Sequence, residues 1–510
     1  GHSDFGPEMV SLRAYLIIQI LSLASAVEPI YYVSAAKGSD SWVGSATQPF
    51  RTISKGLSLR SADQSDSILL RLLPGADFAS AGDKDLQLLG QGTVTLAGSP
   101  GVVVALGGAA SFLSVGAGAT LNLANLTVMG GGVGSAVSVS STAGPVTFRG
   151  CSFLDNLGEQ GGAVSVFTPA TFEHCIFRGN RAQGSGGAVY AGVDASFVNC
   201  SFMDNQASGS GGAAMVLLHG SFTACRFQQN QASSPGQLGG GAVLCKSTSV
   251  FLDCNFWDNS ATAGAGGAVN SRAASTLVNC RFTHNRAAGT GTDGGGAIYG
   301  YGELTITGTV MCSNSALGAG GAVNTQSESS FTDCFFCLNT GQSTLWGAGA
   351  VFVNSETTFT RTNFSSNSAL GPGGALNLQS TTAAIGCQFI SNTAASPAWG
   401  SGAVLANTKT TFVDCAFLNN SASAGAGGAI NLMSRSVMTN CSFSYNSAPS
   451  SGGAVVASSA GSLTACSFYM NRALGGGGGA VNVGSGMESL MNFTACRFDA
   501  NSCDGQDAWG

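Results

Sequence analysis

The chain has 510 residues, 44% of them hydrophobic and only 9% charged, with a net charge of −6. No basic cluster appears, which excludes the electrostatic footprint of a nucleic-acid-binding protein. Its 75 glycines would suit a low-complexity chain, but this apolar share is enough for a packed core.

In chain order, residues 1–8 precede Met9 and read as a non-native or mis-set start. Residues 9–26, MVSLRAYLIIQILSLASA, combine one cation at Arg13, an apolar run and an Ala-Ser-Ala site, and read as a signal peptide. The run is short of the ~20 residues that span a bilayer, so no transmembrane segment is expected. Residues 27–65 read as an N-terminal cap, with a short amphipathic helix over Thr52–Leu59 closing the end of a solenoid. Within it, YYVSAAKGSDSWVGSATQPFRTISKGL (Tyr31–Leu57) is similar to the opening sequence of many secreted β-helix proteins of the pectate-lyase-like superfamily. Residues 66–147 read as irregular early coils.

From 148 to 510 the chain repeats one unit, seen in FEHCIFRGNRAQGSGGAV at Phe172–Val189. An apolar residue is followed by Cys three later, Phe five later and Asn eight later, and then by a variable link to Gly-Gly-Ala-Val. The cysteines of this column are Cys151, Cys175, Cys200, Cys225, Cys254, Cys280, Cys334, Cys387, Cys415, Cys441, Cys466 and Cys496, with Thr309 and Thr362 filling two of the fourteen positions. Spacings of 24 to 30 residues mean stacked units, each burying its apolar face against its neighbours. A Gly-Gly in every copy would break a helix, whereas short stretches such as SFVNCSF read as strands. The predicted fold is all-β: a right-handed single-stranded parallel β-helix of about 17 coils stacked at ~4.8 Å, a rod on the order of 80 Å long.

Cys and the Phe two residues on share a face, which must be interior, and the residue between them points outward. The first apolar residue lies at odd spacing from the Cys, so a bend must separate them. The Asn is expected to end the strand in the left-handed conformation and to hydrogen bond to the Asn of the next coil. The cysteine column should be an interior ladder of thiols, because parallel in-register side chains sit too far apart for relaxed bridges. Cys312 and Cys337 lie outside that column, each two residues before a repeat Asn, on adjacent coils and facing out; they are the predicted disulfide.

In-phase GGA[IV] and FxxN over residues 148–501 resemble the polymorphic outer membrane protein repeat, known from bacterial surface proteins. The resemblance implies a right-handed parallel β-helix exposed outside the cell, with a role in adhesion. Bacterial members end in a membrane β-barrel, and these 510 residues contain no alternating ten-residue strands with an aromatic girdle.

Pectate lyases and polygalacturonases share the architecture, so a polysaccharide lyase or glycoside hydrolase is the alternative to a binding or structural protein. The Asn-Thr-Asp, Asp-Asp, Gly-His-Gly and Arg-Ile-Lys segments of the hydrolases are absent. Asp155, Asp204, Asp253, Asp258, Asp333 and Asp414 sit singly beside strand ends and read as solvated turn residues; His174, His219 and His284 hold unrelated repeat positions. No catalytic, metal or cofactor site is expected. Asn125, Asn199, Asn363, Asn419, Asn440 and Asn492 head Asn-x-Ser/Thr sequons and are glycosylation candidates. The reading is a secreted or cell-surface protein that binds an extracellular or cell-wall ligand, carbohydrate or protein. Its variable links should lie on one side of the rod, with Trp346 and Trp399 as contact aromatics.

Overall fold

The computed structural model describes residues 28–61, 66–397, 399–484 and 490–505. The mis-set start and the signal peptide expected at 1–26 lie outside the described residues. The chain winds into a right-handed parallel β-solenoid of about 17 turns. One coil shows the plan: Ala170–Glu173 forms face 1, Ile176–Arg178 face 2, Arg181–Ala182 face 3 and, after the link, Val189–Ala191 face 4. Stacked coils turn these into parallel sheets of 18, 16, 14 and 16 strands. The register never slips along the Phe columns, as in Phe172↔Phe197↔Phe222 and Phe177↔Phe202↔Phe227.

The corners explain why the repeat keeps the residues it does. The residue before each Cys and the residue before each Asn have positive φ, for example His174 (53°), Asn199 (52°), Asp204 (56°) and Asp258 (55°). This corrects the expectation that the Asn itself is left-handed: its predecessor makes the turn, and the turn aims the Asn side chain inward. Asn180, Asn205, Asn230 and Asn259 are fully buried. Each carboxamide oxygen accepts from the backbone N–H and the Nδ2 of the Asn one coil back, as Asn205 does from Asn180 at 3.0 Å each. Nδ2 donates in turn to the next Asn and to a Phe carbonyl, at 2.9 Å and 3.0 Å for Asn205. The left-handed residue before each Cys is the bend that the odd spacing required.

Two Phe columns fill the interior. Phe172 and Phe197 stack at 4.7 Å, Phe177 and Phe202 at 4.7 Å, and the columns meet edge-on, as Phe172 and Phe177 do at 5.8 Å. The thiols lie beside them. Cys200 Sγ donates to the Phe172 carbonyl at 3.4 Å, and Thr362 Oγ1 donates to the corresponding Phe331 carbonyl at 3.3 Å. Thr therefore replaces Cys in this column because a hydroxyl meets the same acceptor.

The second glycine of Gly-Gly-Ala-Val has a steric cause. A Cβ on Gly212 would sit 2.1 Å from the Gly241 carbonyl oxygen, and one on Gly241 would sit 2.0 Å from that of Gly267. Near the start of the rod, the helix predicted over Thr52–Leu59 is Ile53–Leu57, with Thr52 Oγ1 accepting from Lys55 N at 3.2 Å. Buried Asp83 accepts from Ile53 N at 3.0 Å and ties the helix to the short turn Ala81–Asp83.

Candidate functional site

All the variable links run between faces 3 and 4, so they line one side of the rod. Between residues 231 and 428 they alternate in length. Links 231–241, 286–296, 340–349 and 393–402 have 10 or 11 residues, and those between them, 260–267, 315–321, 368–374 and 421–428, have 7 or 8. The outward residue of face 4 alternates with them. Leu244, Tyr299, Phe352 and Leu405 follow long links; Asn270, Asn324, Asn377 and Asn431 follow short ones. Strand parity points all eight outward, yet all are buried, because the links fold back over the sheet.

The long link covers two coils. Its backbone is held by the Asn of the following coil: Asn270 Nδ2 donates to the Gln237 carbonyl at 2.8 Å, Asn324 Nδ2 to that of Thr292 at 2.5 Å, and Asn377 Nδ2 to that of Trp346 at 3.2 Å. The Trp346 ring then stands edge-on to Phe352 at 6.2 Å.

Just past face 4, Gln326, Asn354, Gln379 and Asn407 occupy one position on four successive coils and form a row of amides. Gln326 Nε2 donates to Asn324 Oδ1 at 2.6 Å, Asn354 Nδ2 to Gln326 Oε1 at 2.8 Å, and Gln379 Nε2 to Asn377 Oδ1 at 2.6 Å. The buried Asn set thus orients Gln326 and Gln379, and Gln326 orients Asn354. Beside it a depression of about 340 Å³ is lined by Leu345, Trp346, Pro372, Gln379, Trp399, Leu405, Asn407 and Met433, with no ionisable side chain. Trp346 and Trp399 are 39% and 52% exposed and hold equivalent link positions two coils apart, ~9.6 Å along the axis.

A disulfide joins Cys312 and Cys337, whose Cα atoms lie 4.5 Å apart on the outside of face 2. The twelve ladder cysteines carry free thiols, all buried except half-buried Cys496. Asn125, Asn199, Asn419, Asn440 and Asn492 are exposed and Asn363 is half-buried. Asn199 Nδ2 meets His174 Nδ1 at 2.8 Å, and Asn440 Nδ2 donates to Asp414 Oδ1 at 2.7 Å. Asp155, Asp204, Asp253, Asp258, Asp333 and Asp414 are exposed corner residues with positive φ. Asp333 pairs with Arg361 at 2.7 Å, and the hydrogen-bonded guanidinium lowers its pKa. His174, His219 and His284 are exposed and dispersed over the coils. Among the described residues no group of three or more His, Cys, Asp or Glu could hold a metal ion, and no helix is long and apolar enough to cross a membrane.

The sequence reading found Trp346 and Trp399 but missed the amide row and the two-coil period. Alternating link lengths and alternating Asn after Gly-Gly-Ala-Val were the available marks of both.

Residues 135–310 match the family model described as right handed beta helix region. The chain is a right-handed parallel β-helix. Residues 440–458 match the Chlamydia polymorphic membrane protein repeat. No curated protein matches the sequence. Among solved structures, the lacto-N-biosidase of Eubacterium ramulus is 12% identical with a TM-score of 0.28, over 76% of this chain and 63% of that one. The β-helix thus spans less than two thirds of that enzyme's length. A rhamnogalacturonan lyase is 13% identical with a TM-score of 0.21, over 81% and 87% of the two chains. The catalytic domain of an alpha-1,3-glucanase is 9% identical with a TM-score of 0.21, over 92% and 70%.

Proposed function

We propose that this β-helix is a secreted or cell-surface protein that works by binding, through the link-bearing side of the rod, and that it has no catalytic site. One observation carries the reading: a row of four amides, three of them oriented by hydrogen bonds, runs beside two exposed tryptophans in equivalent positions, along a depression without ionisable side chains. Amides pair with hydroxyl groups, and aromatic faces cover the apolar faces of sugar rings. An uncharged, extended polysaccharide of a cell surface or wall therefore suits this side. Repetition lets many weak contacts add along the axis.

The polymorphic membrane protein repeat supports display at a surface. The helix Ile53–Leu57 serves as the N-terminal cap, the leader at 9–26 directs export, and the exposed sequon asparagines take glycans if the host attaches them. Catalysis needs several polar groups brought together with shifted pKa values, whereas the corner aspartates are spread singly over the coils.

The test is to incubate purified protein with cells, wall material, and pectate or alginate with and without Ca²⁺. Binding that falls when the long links are replaced by Gly-Ser supports the reading. Polymer cleavage abolished by a single acid-to-amide change would overturn it.

A further inference from the structure

We propose a second binding site, for the anionic group and ring of an acidic saccharide, on the outer side of face 2. Three successive coils are in register there: Arg226↔Asn255↔Arg281 forms one column and Gln228↔Trp257↔Thr283 the next. These six side chains line a shallow depression of about 280 Å³. It is remote from the link-bearing side, with face 1 intervening in one direction around the coil and face 3 in the other.

The charge here is unspent. The four ion pairs among the described residues use Arg149, Arg361, Arg472 and Arg497, not Arg226 or Arg281. In a chain of net charge −6, two exposed guanidinium groups two coils apart, ~9.6 Å along the axis, form a local cationic frame around Asn255. Asp253 and Asp258 stand at the corners of the middle coil. Neither is ion-paired to the arginines, and Asp258 Oδ2 accepts from Gln229 Nε2 at 3.4 Å.

Two further features give the ligand a shape. The Trp257 ring is 42% exposed at the centre of its column and offers a flat apolar platform. Beside it, Thr283 Oγ1 is shielded from solvent and has no hydrogen-bond partner, so a χ1 rotation that turns the hydroxyl out to a ligand oxygen gives up no existing bond. Guanidinium groups bind carboxylate or sulfate in two-point fashion, and a ring stacked on Trp257 brings such a substituent between them. An acidic sugar meets all three demands, whereas a free inorganic anion leaves the platform unused.

The experiment titrates the full chain with a galacturonate oligomer, a sulfated oligosaccharide and an uncharged oligosaccharide of equal length, by calorimetry and tryptophan fluorescence. One or both acidic probes should bind, with affinity falling as salt rises, and the stronger of the two identifies the source of the anion. Arg226→Gln and Arg281→Gln should each weaken binding about tenfold, the loss of a hydrogen-bonded charge contact. Trp257→Ala should abolish the fluorescence change, and Trp346→Ala with Trp399→Ala should leave acidic binding intact. Unchanged melting temperatures of these surface variants exclude misfolding. Equal affinity for the uncharged probe, failure of both acidic probes, or wild-type affinity in the double arginine variant would each overturn the proposal.

Discussion

Removing one rung of the asparagine ladder should cost far more than removing a surface amide. Asn259 is fully buried. Its Oδ1 accepts from Asn230 N at 3.1 Å and from Asn230 Nδ2 at 2.9 Å. Its Nδ2 donates to the Phe227 carbonyl at 2.9 Å and to Asn285 Oδ1 at 3.0 Å. Asn259→Ala deletes these four bonds and strands the Asn230 N–H in the interior. At about 1 kcal/mol net per bond, with a further 1–3 kcal/mol for the buried donor left unpaired, the loss is about 5–7 kcal/mol. At the last rung, Asn501→Ala removes three bonds from a half-buried residue, and the cost should be about 1–2 kcal/mol. Urea denaturation followed by circular dichroism gives both numbers, and hydrogen exchange should show the Asn230 amide losing protection first, since a solenoid coil depends on its immediate neighbours. A cost below about 1 kcal/mol at Asn259, with the Asn230 amide still protected, would refute this account of the corner.

Gly212→Ala, whose new Cβ would meet only backbone of the next coil, should destabilise by about 3 kcal/mol or more or abolish soluble expression; melting temperature checks it. Replacing Cys312 and Cys337 by Ser opens a bridge spanning 25 residues and should cost about 3 kcal/mol in denaturant, with no loss in the same variant measured against reduced wild type. Burial pushes the Cys245 thiol from 9.0 up to about 12 and the Cys334 thiol up to about 11. Above pH 9 the unfolded chain gives up these protons while the native chain keeps them. Stability should therefore be flat below pH 9 and fall as pH rises toward 12, by about 4 kcal/mol for Cys245 alone. A Cys245→Val variant titrated in urea should show a shallower alkaline decline.

Most of the solenoid was legible because each coil writes its constraints in the same places. The Cys-x-Phe parity gave the interior face, and the Asn eight residues after the apolar residue gave the ladder. The turn was misassigned by one residue, since Asp204, Gln229, Leu338 and Tyr445 all take the left-handed conformation and share no side-chain chemistry. Only the backbone geometry marks that position. The link-bearing side was less legible because parity makes Leu244, Tyr299, Phe352 and Leu405 outward residues, and only tertiary folding of the links buries them. The amide row was hidden for a related reason: Gln326, Asn354, Gln379 and Asn407 are unremarkable singly, and their alignment depends on the register of four coils with unequal links.

The central functional claim is that the link-bearing side binds an uncharged extended polysaccharide. Its most direct measurement is the affinity of the full chain for soluble neutral glucan and mannan oligomers, compared with the Trp346→Ala/Trp399→Ala double variant at matched melting temperature. The account predicts binding that is insensitive to salt and weakened about fivefold or more in the variant, the effect of losing two aromatic contacts worth about 0.5–1.5 kcal/mol each. Binding unaffected by the double substitution, or none to any neutral oligomer, would contradict it.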